Sequence, residues 1–196
     1  PAEDQREIPA ASGSGKMSKI ARHIYRSQLG NERLKRFRWW TETDLLPKIG
    51  QGAVTRNSLI NEPVVTLDDR DPFRTDILHE YFVSPDKFSD FLDLCRRVIP
   101  TSYQEFLNVT LRYVDTDKQS ILAYAPVPRI AAVMSFSQEM TQRAEADMNR
   151  MTESLIEGII GIGGTYYLPY RPHATIDQIS RAYPRLSEFI QLKREI

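Results

Sequence analysis

Two stretches in the middle of the chain alternate with a period of two, a pattern that a pleated strand satisfies and a helix does not. From Phe106 to Val114, Leu107, Val109, Leu111 and Tyr113 fall on one face, and Asn108, Thr110 and Arg112 fall on the other. From about Arg129 to Gln138, Ile130, Ala132, Met134 and Phe136 share a face while Ser135 and Ser137 lie opposite. One side of such a sheet is apolar enough to pack on helices. The other carries hydroxyls, an amide and a guanidinium, which suits either plain solvent or a ligand-filled cavity.

The flanking segments complete a fold. Ile77 to Val83 reads as a strand, followed by Ser84 as N-cap, Pro85 at the first helical position and Asp86 in the first turn. Phe88, Phe91, Leu92, Cys95 and Val98 then share one helical face, on which Cys95 reads as a buried small hydrophobe rather than a reactive thiol. Glu139 to about Ile160 has helical spacing, with Ala144, Met148, Met151, Leu155 and Ile159 turned to the core. Gly161, Gly163 and Gly164 end it and lead into a short aromatic strand. Thr175 with Gln178 makes a capping box for a last helix, which Pro184 interrupts after Tyr183. The order strand, helix, strand, strand, helix, strand, helix predicts an α+β domain: a ferredoxin-like antiparallel sheet with helices packed on one face and the polar face open.

The rest of the chain is read as extensions of that domain. Residues 1–18 have linker composition; the Gly-Lys that ends Ser12-Gly13-Ser14-Gly15-Lys16 is no phosphate loop, because the first glycine is missing and Met17 stands where a Ser or Thr is required. Residues 19–76 read as a helical and extended arm with a β-prone run at Val64-Val65-Thr66-Leu67, and residues 77–196 as the compact domain. Within the arm, Arg33 to Trp40 interleaves basic residues with aromatics, which suits a docking surface for another domain. Lys and Arg number 26 against 26 Asp and Glu, so no global field argues for nucleic acid or membrane. With one cysteine, no apolar leader and no long apolar segment, the composition predicts a cytoplasmic protein without an intramolecular disulfide. Two metal readings fail. His79 and Glu80 are strand neighbours that point to opposite faces, and Asp115 to Ser120 lacks the glycine and distal glutamate of a calcium loop, so it reads as a polar hairpin turn.

Functional candidates cluster in Gly163-Gly164-Thr165-Tyr166-Tyr167-Leu168-Pro169-Tyr170-Arg171-Pro172-His173-Ala174-Thr175, where a stiff turn holds Arg171 and His173 still. That segment, Leu107 to Val114, and the closing Ala182-Tyr183-Pro184 with Leu192-Lys193-Arg194 resemble the C-terminal substrate, or cap, domain of FAD-linked oxidases of the vanillyl-alcohol oxidase type, nearest the sugar-lactone and alditol oxidase branch. The resemblance spans about Leu78 to Ile196. It implies that the polar face roofs a flavin whose FAD is bound mainly by a separate domain of the same protein, absent from this chain, which alone would be inactive. The chemistry implied is hydride transfer from a hydroxyl-bearing small molecule to the flavin, with a base removing the hydroxyl proton. Related oxidases carry Glu-x-Arg where Thr110-Leu111-Arg112 stands, His-x-Thr where Ser135-Phe136-Ser137 stands, and a Lys at the position of Ile176. The resemblance thus assigns Arg112 and His173 the catalytic roles, with Asn108, Thr110, Ser135, Ser137, Tyr167, Tyr170 and Arg171 facing substrate or flavin. The competing reading is a non-catalytic ferredoxin-like module that binds a small ligand or forms a homodimer through its open sheet face. Convergence of Arg112 and His173 on one concave surface favours the first; a charge-dominated face with the two pointing apart favours the second.

Overall fold

The computed structural model describes residues 23–24, 26–49 and 71–195. The linker 1–18 and the run Val64 to Leu67 lie outside the described residues. The chain divides into two compact units, residues 1–70 and 71–196.

In the first unit, helix α1 (Glu32–Trp40) starts where the Asn31 side chain accepts the backbone N–H of Arg33 and Leu34, both at 3.1 Å. A π-helical turn at Thr41–Leu45 leads into α2 (Leu46–Ile49). No residue of α1 is buried, and Trp39 and Trp40 are exposed.

The second unit contains β1 (Arg74–Val83), α3 (Phe88–Val98), β2 (Glu105–Val114), β3 (Arg129–Glu139), α4 (Gln142–Gly161), β4 (Thr165–Tyr166), α5 (Ile176–Ala182) and α6 (Leu186–Glu195). The sheet order is β2-β3-β1-β4, with every neighbouring pair antiparallel. This is the ferredoxin-like α+β arrangement that the order of elements predicts. Ile77, Tyr81, Val83, Met134 and Phe136 form its inner face and pack with Phe91 and Leu94 of α3 and Met148, Met151, Leu155, Ile156 and Ile159 of α4. The capping box at Thr175 and Gln178 is formed, and the chain turns at Tyr183-Pro184 between α5 and α6.

Several local expectations change. Ser84 makes no side-chain cap; its hydroxyl accepts from Arg129 Nη1 at 2.9 Å, and a 3-10 turn at Pro85–Lys87 precedes α3. Leu94, not Leu92, is the buried leucine of α3, because it lies three positions after Phe91 and four before Val98 on the buried face; Leu92 is exposed. In β2 a bulge lies between Phe106 and Asn108. Phe106 therefore takes the inner position against Phe136, ring centroids 5.3 Å apart, and Leu107 is the extra residue rather than a member of the regular inner row. The aromatic strand is only two residues long. It is held close by the glycines before it: Gly163 has φ +75°, and a Cβ on Gly164 would lie 2.7 Å from the Phe82 carbonyl.

The connection between β2 and β3 is more than a hairpin turn. Residues 115–128 fold back onto the outer face at one end, where Tyr124 stacks on Phe82 at 4.4 Å and accepts a hydrogen bond through its carbonyl from the Thr165 hydroxyl. Phe82 and Ala131, both outer-face residues by register, are buried there. The outer face is open only over its remaining length.

Candidate functional site

The open part of the outer face is built by three neighbouring strands. Register aligns Asn108, Ser135 and Leu78 in one row; Thr110, Val133 and Glu80 in the next; and Arg112, Ala131 and Phe82 in the third. Beyond β1, the Tyr167 N–H donates to the Glu80 carbonyl at 2.9 Å, which lays the segment after β4 along the sheet edge. Tyr167 meets Tyr170 edge-on at 4.9 Å and Tyr124 at 5.8 Å, so three phenol rings wall one side of the face. Burial raises the Tyr170 phenol above its usual range, with Glu80 and Tyr167 adding to the effect and Arg112 opposing it. Glu80, Arg112 and Tyr170 therefore sense one another across the same surface.

Six of the sequence candidates, Asn108, Thr110, Arg112, Ser135, Tyr167 and Tyr170, belong to this face. Ser137 lies on the same face by register but is fully buried, its hydroxyl accepting from Arg74 Nε at 2.9 Å while Arg74 Nη2 donates to its carbonyl at 3.0 Å. It is a structural anchor for β1 rather than a free polar contact.

Arg171 and His173 are on the other side of the sheet. After Tyr170 the chain passes round the sheet edge, and Arg171 pairs with Glu145 of α4 at 3.4 Å. His173 is buried, with Nδ1 3.1 Å from Thr152 Oγ1 of α4. The Thr152 hydroxyl donates to the Met148 carbonyl at 2.7 Å, so toward the imidazoles it can only accept. His173 therefore donates from Nδ1, and His79 donates from Nε2 over 3.5 Å to the same oxygen. His79 Nδ1 in turn accepts from the Tyr81 hydroxyl at 3.1 Å. The remaining nitrogen of His173, Nε2, has no hydrogen-bond partner and faces Glu145 Oε1 at 3.6 Å. Burial lowers the His173 pKa, Arg171 adds to this, and Glu145 opposes it. These residues form a closed interior network, a structural setting for the Arg-Pro-His turn.

Arg112 and His173 thus do not converge. The outer face is nevertheless not dominated by charge: Glu80 and Arg112 sit among Leu78, Val133, Asn108, Thr110, Ser135 and tyrosine rings. Among the described residues, no side-chain hydrogen bond or ion pair engages Glu80, Asn108, Thr110, Arg112, Tyr167 or Tyr170, whereas the charged groups of α4 and α5 are mostly paired. A free polar set on a flat, partly aromatic surface is what a planar or hydroxylated ligand requires.

Glu80 is the residue that sequence reasoning missed. Its strand parity was legible, but only the outer-face reading of Thr110 and Arg112, extended across β3 to β1, would have brought it into the site. Cys95 behaves as the sequence indicates: it is partly buried, and burial pushes its thiol up to about 12. Among the described residues no cluster of His, Cys, Asp or Glu is placed to hold a metal ion, and no helix is long and apolar enough to cross a membrane. No family model matches the chain, and no curated protein matches it.

Proposed function

We propose that the second unit is the substrate, or cap, domain of an FAD-dependent oxidoreductase that oxidises a hydroxyl-bearing small molecule, and that its outer sheet face is the roof of the reaction site. The observation that carries this reading is the set of unengaged polar side chains on that face, with Arg112 at one edge and the Tyr167 and Tyr170 rings at the other. The donor set fits a flat, electron-accepting ring system with a polyol or hydroxy acid beside it: a guanidinium for an anionic oxygen, a hydroxyl and an amide for neutral ones. Arg112, Thr110 and Asn108 are the residues that would face such a ring and its substrate. FAD, when bound, supplies the two-electron acceptor. Arg112 holds and orients the substrate, the tyrosines exclude water at the rim, and His173 positions the turn that presents Tyr170 rather than touching substrate itself.

The test is the visible spectrum of the protein expressed from its complete reading frame. A flavin spectrum that bleaches anaerobically with a polyol, lactone or hydroxy acid is expected, with Arg112→Ala slowing the bleaching by about 10²-fold. A colourless protein overturns the proposal.

A second reading, a non-catalytic module that pairs through its sheet, draws on two observations. Arg112 and His173 lie on opposite sides, and the edge strand β2 leaves Val109, Leu111 and Tyr113 exposed.

A further inference from the structure

Glu80 sits at the centre of the outer face, in the row of Thr110 and Val133 and beside the Tyr167-Tyr170 segment. It is half-buried, yet its carboxylate makes no hydrogen bond or ion pair among the described residues. The carboxylates of α4 that lie deepest are treated differently. Asp147 accepts from the Tyr103 N–H, Gln104 and Arg150, and Glu145 accepts from Gln138 and Arg171. A partly desolvated carboxylate without donors is costly unless something binds against it. A small cavity at the point where the chain rounds the sheet edge is lined by Glu80, Tyr167 and Tyr170 and, for the rest, by helix-side residues such as His79, Thr152 and Ile156.

The groups facing it are few. Arg112 approaches from β2, Tyr167 and Tyr170 from the segment after β4, and β3 contributes only the apolar Val133. Burial raises the Glu80 pKa and Arg112 opposes the shift, which makes the carboxylate a better proton acceptor than an ordinary glutamate. The other candidates fail on position or chemistry. His173 is enclosed behind the sheet. The Tyr170 phenol, raised above its usual range, is protonated at neutral pH.

Resting on the flavin-linked reading of this face, we propose that Glu80 is the base that accepts the hydroxyl proton of a substrate held by Arg112. In the step, the substrate O–H bond breaks as its proton passes to the Glu80 carboxylate, and the freed electron pair becomes the second C–O bond of the product carbonyl. The hydrogen on the same carbon would leave with its electron pair to the two-electron acceptor that FAD, when bound, would supply. Glu80, now a carboxylic acid, returns its proton to solvent across the open face.

Two measurements test the assignment. In the chain without FAD, carboxyl-carbon NMR should show Glu80 titrating above the exposed glutamates, with Arg112→Met moving it higher still. In the flavoprotein, Glu80→Gln should lower kcat for flavin reduction by about 10²- to 10⁴-fold with little change in KM and erase the acidic limb of the pH profile, and Glu80→Asp should restore part of the rate. A Glu80 that titrates with the exposed glutamates, or a Glu80→Gln flavoprotein that keeps both its rate and its acidic limb, overturns this assignment alone. A parent protein that carries no flavin overturns the reading beneath it as well.

Discussion

His79 is 4% exposed, its ring packed 5.2 Å from Phe136 and engaged at both nitrogens by Tyr81 and Thr152. Burial pushes its pKa down to about 3, with His173 and Arg171 adding to the shift. The folded value lies below that of the unfolded chain, near 6.5, so the unfolded state takes up the proton first as pH falls. The stability this residue contributes is complete above about pH 6.5 and is lost progressively toward pH 3. Denaturant unfolding should lose about 2–3 kcal/mol from this one group between pH 7 and pH 4.5, and the loss should shrink in His79→Gln. A variant with the parent's full pH slope would place the acid sensitivity elsewhere. The sequence pointed to His173 through its stiff turn, but not to this network: nothing local to position 79 announces a threonine 73 residues away that serves two imidazoles at once.

The edge strand β2 shows how far periodicity reaches. Alternation placed Val109, Leu111 and Tyr113 on the helix side and Thr110 and Arg112 opposite, and the register agrees. It could not say how much of the helix side α3 and α4 would cover. These three side chains are 43%, 50% and 69% exposed, on a strand whose outer edge pairs with no other strand among the described residues. Such a strip, together with free backbone groups, favours pairing with a second copy. In sedimentation the chain is expected to self-associate with rising concentration, and Leu111→Lys to keep it monomeric. Equal sedimentation of the two would exclude this strand as the contact. The cap at Thr175-Gln178 and the break at Tyr183-Pro184 were legible because their chemistry is local, whereas the cap expected at Ser84 is not made because its hydroxyl serves Arg129. The stripe of α3 was less so, since Leu92 and Leu94 flank the same apolar row and only packing decides which of them is covered.

Among the described residues, the continuous core, from Ile77 to Tyr183, lies inside one unit. Residues 71–196 alone should therefore unfold in a single cooperative transition at the same temperature as that unit in the longer chain; a lowered, broadened transition would show that residues 1–70 contribute to its stability. The order of strands and helices was legible because each carries its own period. The covering of the outer face by residues 115–128 was not: the apolar run Ile121-Leu122-Ala123-Tyr124-Ala125 marks a segment that packs on something, but a run without a period of its own does not say which face it covers. Which side of the molecule the site occupies rests on a single residue count. A strand has a reading frame of two, and the bulge at Leu107 absorbs one residue, so that Phe106 and Val109 both face inward although three positions apart. Leu107 is thus the position in β2 where losing a residue leaves Thr110 and Arg112 on their present side; a loss between Asn108 and Thr110 would turn the arginine toward the helices and take the cation off the outer face.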